Sequence, residues 1–401
     1  MVGLAPETVA VHAWGAPDGR PRAHRTLNAP LYLTTQWEGR SLPELADLFG
    51  KHPDRGFYLR FGHPTLALAE QKLATLEGAE EALVFASGMG AISTALLATL
   101  RSGDHVIAHR AIFAQTVLFL QHLQEAYGVA VDFVDATDPD AVRAAYRATT
   151  RLLYLETPSN PLIDVLDIQA LSAEAHARDA LVFVDTTFAG PFVQHVLALG
   201  ADLSVQSASK SLAGHADVMA GVVAGGRTLI RRIRELRVLS GPILDPHACW
   251  LLLRGLQTLP LRMRAQCEAA ARVAALVDTH AAVTHVRYPF LPSHPQYRVA
   301  CAQMQAGGSM LSFALTGGLA GARRFVDALE WIPIASSLGS VHTTLEVPEE
   351  LDFAGEELGE RAQAYAIPPG LIRFSVGTES VNDILRDVQR GLDAVRQATS
   401  A

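Results

Sequence analysis

The side chain with the clearest chemical potential is Lys210, set among small neutral residues in SASKSLAGH, just after the apolar run LSVQS. A lysine buried in such a setting has a lowered pKa and serves as an amine nucleophile or base. A lysine on an exposed loop is the alternative. Asp185 ends another apolar run, LVFVD, and α/β folds gather ligands at the carboxyl ends of parallel strands. It either caps the following loop or pairs with a cationic ring nitrogen, a pairing worth more in a dry site than in water. Ser87-Gly88-Met89-Gly90 lies between a predicted strand and a predicted helix, where backbone N–H groups and missing Cβ atoms suit an anion. A plain glycine turn fits the same letters. Arg373, flanked by apolar residues in LIRFSVG, needs an anionic partner if buried, either a bidentate ligand carboxylate or an internal acid. The order is anion turn, strand-end acid, strand-end lysine. Those are the three functions that a phosphorylated cofactor with an aldehyde and a pyridinium requires.

Regular elements must hold these groups. TLALAEQKLATLEG sets Leu66, Ala69, Leu73 and Leu76 on one helical face and stops at Gly78. EALVFA then reads as a buried strand, SGMG as a turn and AISTALLATL as an apolar helix. Strand HVIA, helix TVLFLQHLQEAYG and strand VDFVD follow, then strands RLLYLE, ALVFVD, LSVQS and VMAGVVAG. Short apolar runs alternating with helices predict an α/β fold with a mostly parallel sheet covered on both faces. Residues 1–60 read as an extended arm broken by Pro6, Pro17, Pro21, Pro30, Pro43 and Pro53, of the kind that crosses a neighbouring subunit. A large domain is expected over residues 61–250. A long helical stretch, WLLLRGLQTLPLRMRAQCEAAARVAALVDTH, leads into a smaller α/β domain, 251–401, with GSMLSFAL and LIRFSVG.

At 401 residues the chain exceeds what one hydrophobic core normally supports. Its net charge of −8 is spread along the sequence and favours neither nucleic acid nor an anionic membrane as partner. Cys249, Cys267 and Cys301 form no C-x-x-C pair, so free thiols are expected and no metal site is assigned. Apolar stretches are interrupted before spanning length, and the N-terminus carries no signal-like pattern. A cytoplasmic enzyme of small molecules is the expectation.

The chain resembles the Cys/Met-metabolism family of pyridoxal-phosphate (PLP) enzymes, the cystathionine γ-synthase and γ-lyase group. The likeness runs through APLYLTTQW, YLRFGHPT, the SGM turn, RSGDHV, ETPSNPL, VDTTFAGP, LGADLSVQSASKSLAGHADV, RGLQTLPLRM, SSLGS and GLIRFSVGTES. The resemblance implies the aspartate-aminotransferase-like fold, with PLP as cofactor and a small amino acid as substrate. It also implies a homotetramer of two catalytic dimers. On it, Lys210 forms the Schiff base and moves protons, and Asp185 binds the pyridine nitrogen. Gly88, Met89, Ser207 and Ser209 hold the phosphate, and Phe113 stacks on the ring. Tyr58 and Arg60 reach the cofactor of the neighbouring subunit. Asn160, Ser337 and Arg373 meet the substrate carboxylate region. The implied activity is trans-sulfuration in methionine or cysteine metabolism: γ-replacement on an O-acylhomoserine, or γ-elimination by a carbon–sulfur lyase.

Several positions depart from the family pattern. Phe113 stands for the usual stacking Tyr, His63 for the Asn of G-N-P-T, and Thr186 for the Asn after the cofactor aspartate. Ser340-Val341-His342 follows S-L-G where an acid is common, and LEVPEELDF lacks the H-P-x-x-x-T-H pattern. Where methionine γ-lyases carry Cys, this chain has Gln115. Stacking survives the loss of the Tyr hydroxyl, but proton donation does not. A thiolate leaving group (free thiol pKa about 8.5) gains from a nearby acid, whereas a carboxylate (about 4.3) hardly does. The Phe therefore favours O-acylhomoserine over thioether substrates, as in the O-succinylhomoserine sulfhydrylases that share it.

Overall fold

Most helices here begin at a residue that can cap them, and the strands between are runs apolar enough to be buried on both faces. The computed structural model describes residues 4–12, 26–51, 56–350 and 367–399. The first part contains α1 (Pro6–His12), α2 (Leu42–Lys51), α3 (Pro64–Glu77), β1 (Glu81–Phe85), α4 (Gly88–Thr99), β2 (His105–His109), α5 (Ala114–Tyr127) and β3 (Ala130–Val134). It continues with α6 (Pro139–Ala145), β4 (Thr150–Glu156), α7 (Ile168–His176), β5 (Leu181–Asp185), β6 (Leu203–Gln206), β7 (Gly221–Gly225) and α8 (Arg227–Ser240). The second part contains α9 (Pro246–Asp278), β8 (Val283–Arg287), α10 (Tyr297–Gln303), β9 (Met310–Leu315), α11 (Gly318–Ala328), β10 (Thr344–Glu346), β11 (Ile372–Ser375) and α12 (Val381–Thr399).

The large sheet has seven strands in the order β1-β7-β6-β5-β4-β2-β3. It is mostly parallel, as the strand pattern predicts; β7 runs against its two neighbours, β1 and β6. Alternation along β5 explains why its sequence is apolar throughout. Phe183 joins the core formed with α4 and α5, while Val182 and Val184 join the core formed with α7 on the other side. The smaller sheet, β10-β11-β9-β8, is antiparallel and packs Phe313, Phe325 and Phe374 into a separate core.

Helix α9 joins the two parts. Its residues through Cys267 belong to the core shared with α1 and α3, and those from Ala269 to the core of the small sheet. Its backbone also presses on the loop that follows Lys210. A Cβ on Gly255 would stand 2.3 Å from the carbonyl oxygen of Ala213. Buried Arg262 donates from Nη1 to the Ser211 carbonyl at 2.7 Å and from Nη2 to that of Leu212 at 3.3 Å.

Three expectations are corrected. SGMG is not a turn ahead of a helix; it is the cap and first turn of α4, with Ser87 Oγ accepting from the Gly90 N–H at 2.9 Å. VMAGVVAG becomes strand only from Gly221. The arm is not extended throughout. Helix α1 docks on its own chain, with Val9 and Ala10 buried and the Ala10 carbonyl accepting from Lys72 Nζ at 2.6 Å. Pro17, Pro21, Pro53 and residues 351–353 of LEVPEELDF lie outside the described residues. Among the described residues no helix is long and apolar enough to cross a membrane, and all three cysteines are free.

The His63 departure has a local explanation. His63 is the N-cap of α3, and its Nδ1 accepts from the Leu66 N–H at 3.1 Å, the service an Asn carboxamide oxygen gives at the same place. Replacing His63 with Ala is expected to destabilise the fold by at least about 1 kcal/mol. His63→Asn is expected to retain most of the stability. Denaturant midpoints of the two variants check this; equal midpoints for Ala and wild type would refute the capping role.

Candidate active site

The carboxyl ends of the central strands bring most of the expected residues together. Asp185 closes β5, is 5% exposed, and accepts two bonds on Oδ1: from the Thr187 N–H at 2.9 Å and the Thr187 hydroxyl at 2.6 Å. Both end on one oxygen, so among the described residues Oδ2 keeps its lone pairs for another donor. Burial raises the Asp185 pKa to about 6, and the Thr187 bonds oppose that rise. Thr187 Oγ1 also accepts from the Ser207 N–H at 2.9 Å, linking the acid to the lysine loop.

The first turn of α4 meets that loop. A Cβ on Gly88 would stand 3.0 Å from Ser207 Cβ and 3.2 Å from its hydroxyl oxygen, so glycine lets the helix N-terminus approach Ser207 closely. Backbone N–H groups at the start of a helix have no partners within it, and with Ser207 beside them they suit a phosphate. Met89 lies in the same turn, 4.0 Å from the Thr116 hydroxyl through its sulfur. The Ser209 hydroxyl is engaged with the Ala220 backbone, donating to its carbonyl at 3.1 Å and accepting from its N–H at 2.9 Å.

Lys210 is half-buried, and its Nζ donates to Ser337 Oγ at 2.9 Å. Ser337 belongs to a loop of the second part that packs on the lysine loop at Gly339. There φ is +74°, and a Cβ would stand 2.7 Å from the Ser211 nitrogen. Arg373, 4% exposed on β11, donates from Nη1 to Asn160 Oδ1 at 3.1 Å. Its Nη2 lies 2.8 Å from Glu346 Oε1, on the residue opposite it in β10. Of the two sequence alternatives for Arg373, the structure shows the internal acid, Glu346, with the Asn160 side-chain amide beside it.

Phe113 is the N-cap of α5 and 38% exposed. Its N–H donates to Glu156 Oε2 at 2.7 Å, and the Asn160 N–H donates to Glu156 Oε1 at 2.9 Å. Thr186 is fully buried, with no hydrogen-bond partner for its hydroxyl among the described residues. Tyr58 and Arg60 sit apart from this group. Arg60 Nη1 donates to the Val238 carbonyl at 2.7 Å near the end of α8, and its guanidinium lies 5.8 Å from the centre of the exposed Tyr58 ring. Within one chain neither hydrogen-bonds to Lys210, Asp185 or Ser207 among the described residues. His342 is exposed, and its N–H donates to Ser340 Oγ at 3.1 Å.

Sequence reasoning missed Thr187, Glu156 and Glu346. Glu156 had a signal, an acid ending an apolar strand just as Asp185 does. Thr187 and Glu346 act through neighbours that only the fold supplies. The donor set fits PLP: an anion cradle at Gly88 and Ser207, an amine at Lys210, and a buried acid at Asp185 with Oδ2 left open.

Comparison with known proteins agrees. A family model described as Cys/Met metabolism PLP-dependent enzyme matches residues 7–393. L-methionine gamma-lyase of Pseudomonas deceptionensis is 40% identical over 372 residues, 92% of this chain and 93% of that protein. Cystathionine gamma-synthase 1, chloroplastic, of Nicotiana tabacum is 36% identical over 389 residues, 97% of this chain and 72% of that one. The structure of cystathionine gamma synthase from Xanthomonas oryzae pv. oryzae, in complex with aminoacrylate and cysteine, matches with a TM-score of 0.92 at 32% identity, covering 99% of this chain and 100% of that chain. Cystathionine gamma-lyase from Lactobacillus plantarum, complexed with L-serine, matches at 0.88 and 34% identity over 98% and 100%. The fold implied by the resemblance is therefore present, PLP is the cofactor, and the chain belongs to the Cys/Met metabolism family of PLP-dependent enzymes.

Proposed function

We propose that the protein carries out trans-sulfuration chemistry at the γ-carbon of an amino acid, with γ-replacement on an O-acylhomoserine as the leading reaction. The observation that carries the choice is the aromatic side chain at the mouth of the site: Phe113, without a hydroxyl. Bound PLP supplies an aldehyde that condenses with amines and a protonated ring that accepts the electron pair left at Cα. The protein does the rest. The Gly88 and Met89 N–H groups and Ser207 bind the phosphate. Ser209 shapes that wall through its grip on Ala220. Asp185 Oδ2 would hold the proton on the ring nitrogen, and Phe113 would cover the ring. Arg373, steadied by Asn160 and Glu346, binds the substrate carboxylate. Lys210 Nζ, oriented by Ser337, would take the proton from Cα and, once relieved of it, the proton from Cβ as the γ-substituent leaves as a carboxylate with its bonding pair; addition of a thiolate at Cγ would then draw protons back to Cβ and Cα from the same amine. Exposed Tyr58 and half-buried Arg60, adjacent on one edge, serve the partner's site in a homotetramer built of two such dimers, in the cytoplasm.

A second reading, carbon–sulfur lyase, has its own support: the relatives at 40% identity are named methionine gamma-lyases. Gln115 counts against methionine itself. Steady-state kinetics on O-succinyl- and O-acetylhomoserine with cysteine, against cystathionine and methionine, separate the two. Faster turnover of the acylhomoserines is expected. Introducing Phe113→Tyr is expected to raise thioether cleavage by about 10²-fold, the low end of the usual range for a positioned general acid. Faster wild-type turnover of thioethers, with α-ketobutyrate and ammonia as products, would establish the lyase instead.

A further inference from the structure

One buried carboxylate joins two walls of the site. Glu156 ends β4 and stands opposite Asp185 of β5 in the sheet register. It is 4% exposed. Oε2 accepts from the Phe113 N–H and Oε1 from the Asn160 N–H, at 2.7 and 2.9 Å. Phe113 starts α5 and covers the ring in the reading above; Asn160 Oδ1 accepts from Arg373 Nη1. The carboxylate therefore spans from the aromatic wall to the residue that steadies the carboxylate-binding arginine.

A carboxylate suits this task and few other groups do. It can accept at both oxygens, and here each oxygen takes one backbone N–H. Gln offers one acceptor and turns its NH₂ group against the remaining N–H. Asp keeps both acceptors but sits one methylene further back. Burial, then the charge of Asp185, raises the Glu156 pKa well above the usual carboxylate range, and the two backbone bonds oppose that rise.

We propose that Glu156 is a positioning residue for the reaction: by accepting both N–H groups it fixes the gap between Phe113 and the Asn160–Arg373 pair. This rests on the PLP reading above, and the tests separate the two. Glu156→Gln, reconstituted with PLP, is expected to keep the visible absorbance of bound cofactor, because Lys210 and Asp185 are untouched. Its KM for the amino-acid substrate is expected to rise about tenfold or more, the factor for one lost hydrogen bond to a charged group, with a smaller change in kcat. A role confined to stability would lower the melting temperature and leave KM alone. Glu156→Asp, which keeps the charge, carries the same comparison if the Gln variant does not fold. Amide hydrogen exchange on the wild-type holoenzyme gives a readout free of folding risk: Phe113 and Asn160 amides are expected to exchange slowly, and fast exchange at either would overturn the proposal. So would an unchanged KM in Glu156→Gln. Wild-type protein that binds no PLP would sink the enzyme reading, while slow exchange at both amides would still support the carboxylate clamp.

Discussion

Lys210→Ala is expected to lower turnover by at least about 10³-fold and to abolish the visible absorbance of the bound cofactor. On the proposed reading two functions would disappear together. One is the covalent attachment that would hold the aldehyde in register; the other is the base that would move the Cα proton, worth roughly 10²–10⁴ on its own. The packing cost is small, because Lys210 is half-buried and its amine reaches Ser337 across the surface between the two parts of the molecule. Lys210→Arg is the sharper control. It keeps a positive charge beside Ser337, yet a guanidinium stays protonated and cannot act as an amine. It is expected to be as inactive as the Ala variant. Absorbance spectra and single-turnover assays on the two purified variants read this out; substantial activity in either would remove Lys210 from the chemistry.

Replacing Asp185 with Asn has opposite effects on catalysis and on the cofactor-free fold. With PLP bound, Asn cannot hold the proton on the ring nitrogen by charge, and turnover is expected to fall by roughly 10²–10⁴-fold. Without PLP the ionised acid is a burden. Burial sets the folded pKa at about 6 against an ordinary 3.8. The folded state therefore binds the proton more tightly than the unfolded chain does, and stability declines as pH rises from about 4 to about 6. That displacement is worth on the order of 3 kcal/mol once both states are ionised. Cofactor-free Asp185→Asn is expected to melt higher than cofactor-free wild type at pH 7–8, with the difference vanishing towards pH 4. Thermal melts across that range, with and without PLP, check both halves. A variant that melts lower than wild type at pH 7 without PLP would contradict the burial argument.

Much of the architecture is legible in the amino-acid sequence because buried parallel strands announce themselves. LVFVD is apolar at every position before its final Asp185, and both its faces are covered. The direction of β7 is not legible, since GVVAG is equally apolar whichever way it runs. The first turn of α4 is hidden by its glycines, which are poor helix formers; Ser87 three residues before Gly90 is the available cue. Helix α1, at seven residues, is too short for a periodic signal and owes its stability to docking on α3 and α9. At the site, Asp185 and Arg373 stand out because each is a charge in an apolar run, and Lys210 because it is a charge among small neutral residues. Glu156 looks equally odd, yet its work is done on backbone N–H groups, which leave no side-chain spacing to recognise. Tyr58 and Arg60 owe their expected role to the family likeness alone. Inside one chain Arg60 bonds to α8 with Tyr58 beside it, and a site assembled from two chains would leave no signature in either.

Helix α9 touches the floor beneath the amine at Gly255 and Arg262, then runs on into the hydrophobic centre of the domain that carries the guanidinium. It acts as a strut. Rocking of the second part about this rod would drag the lysine loop with it, so the spacing between Lys210 and Arg373 is tied to a single continuous helix.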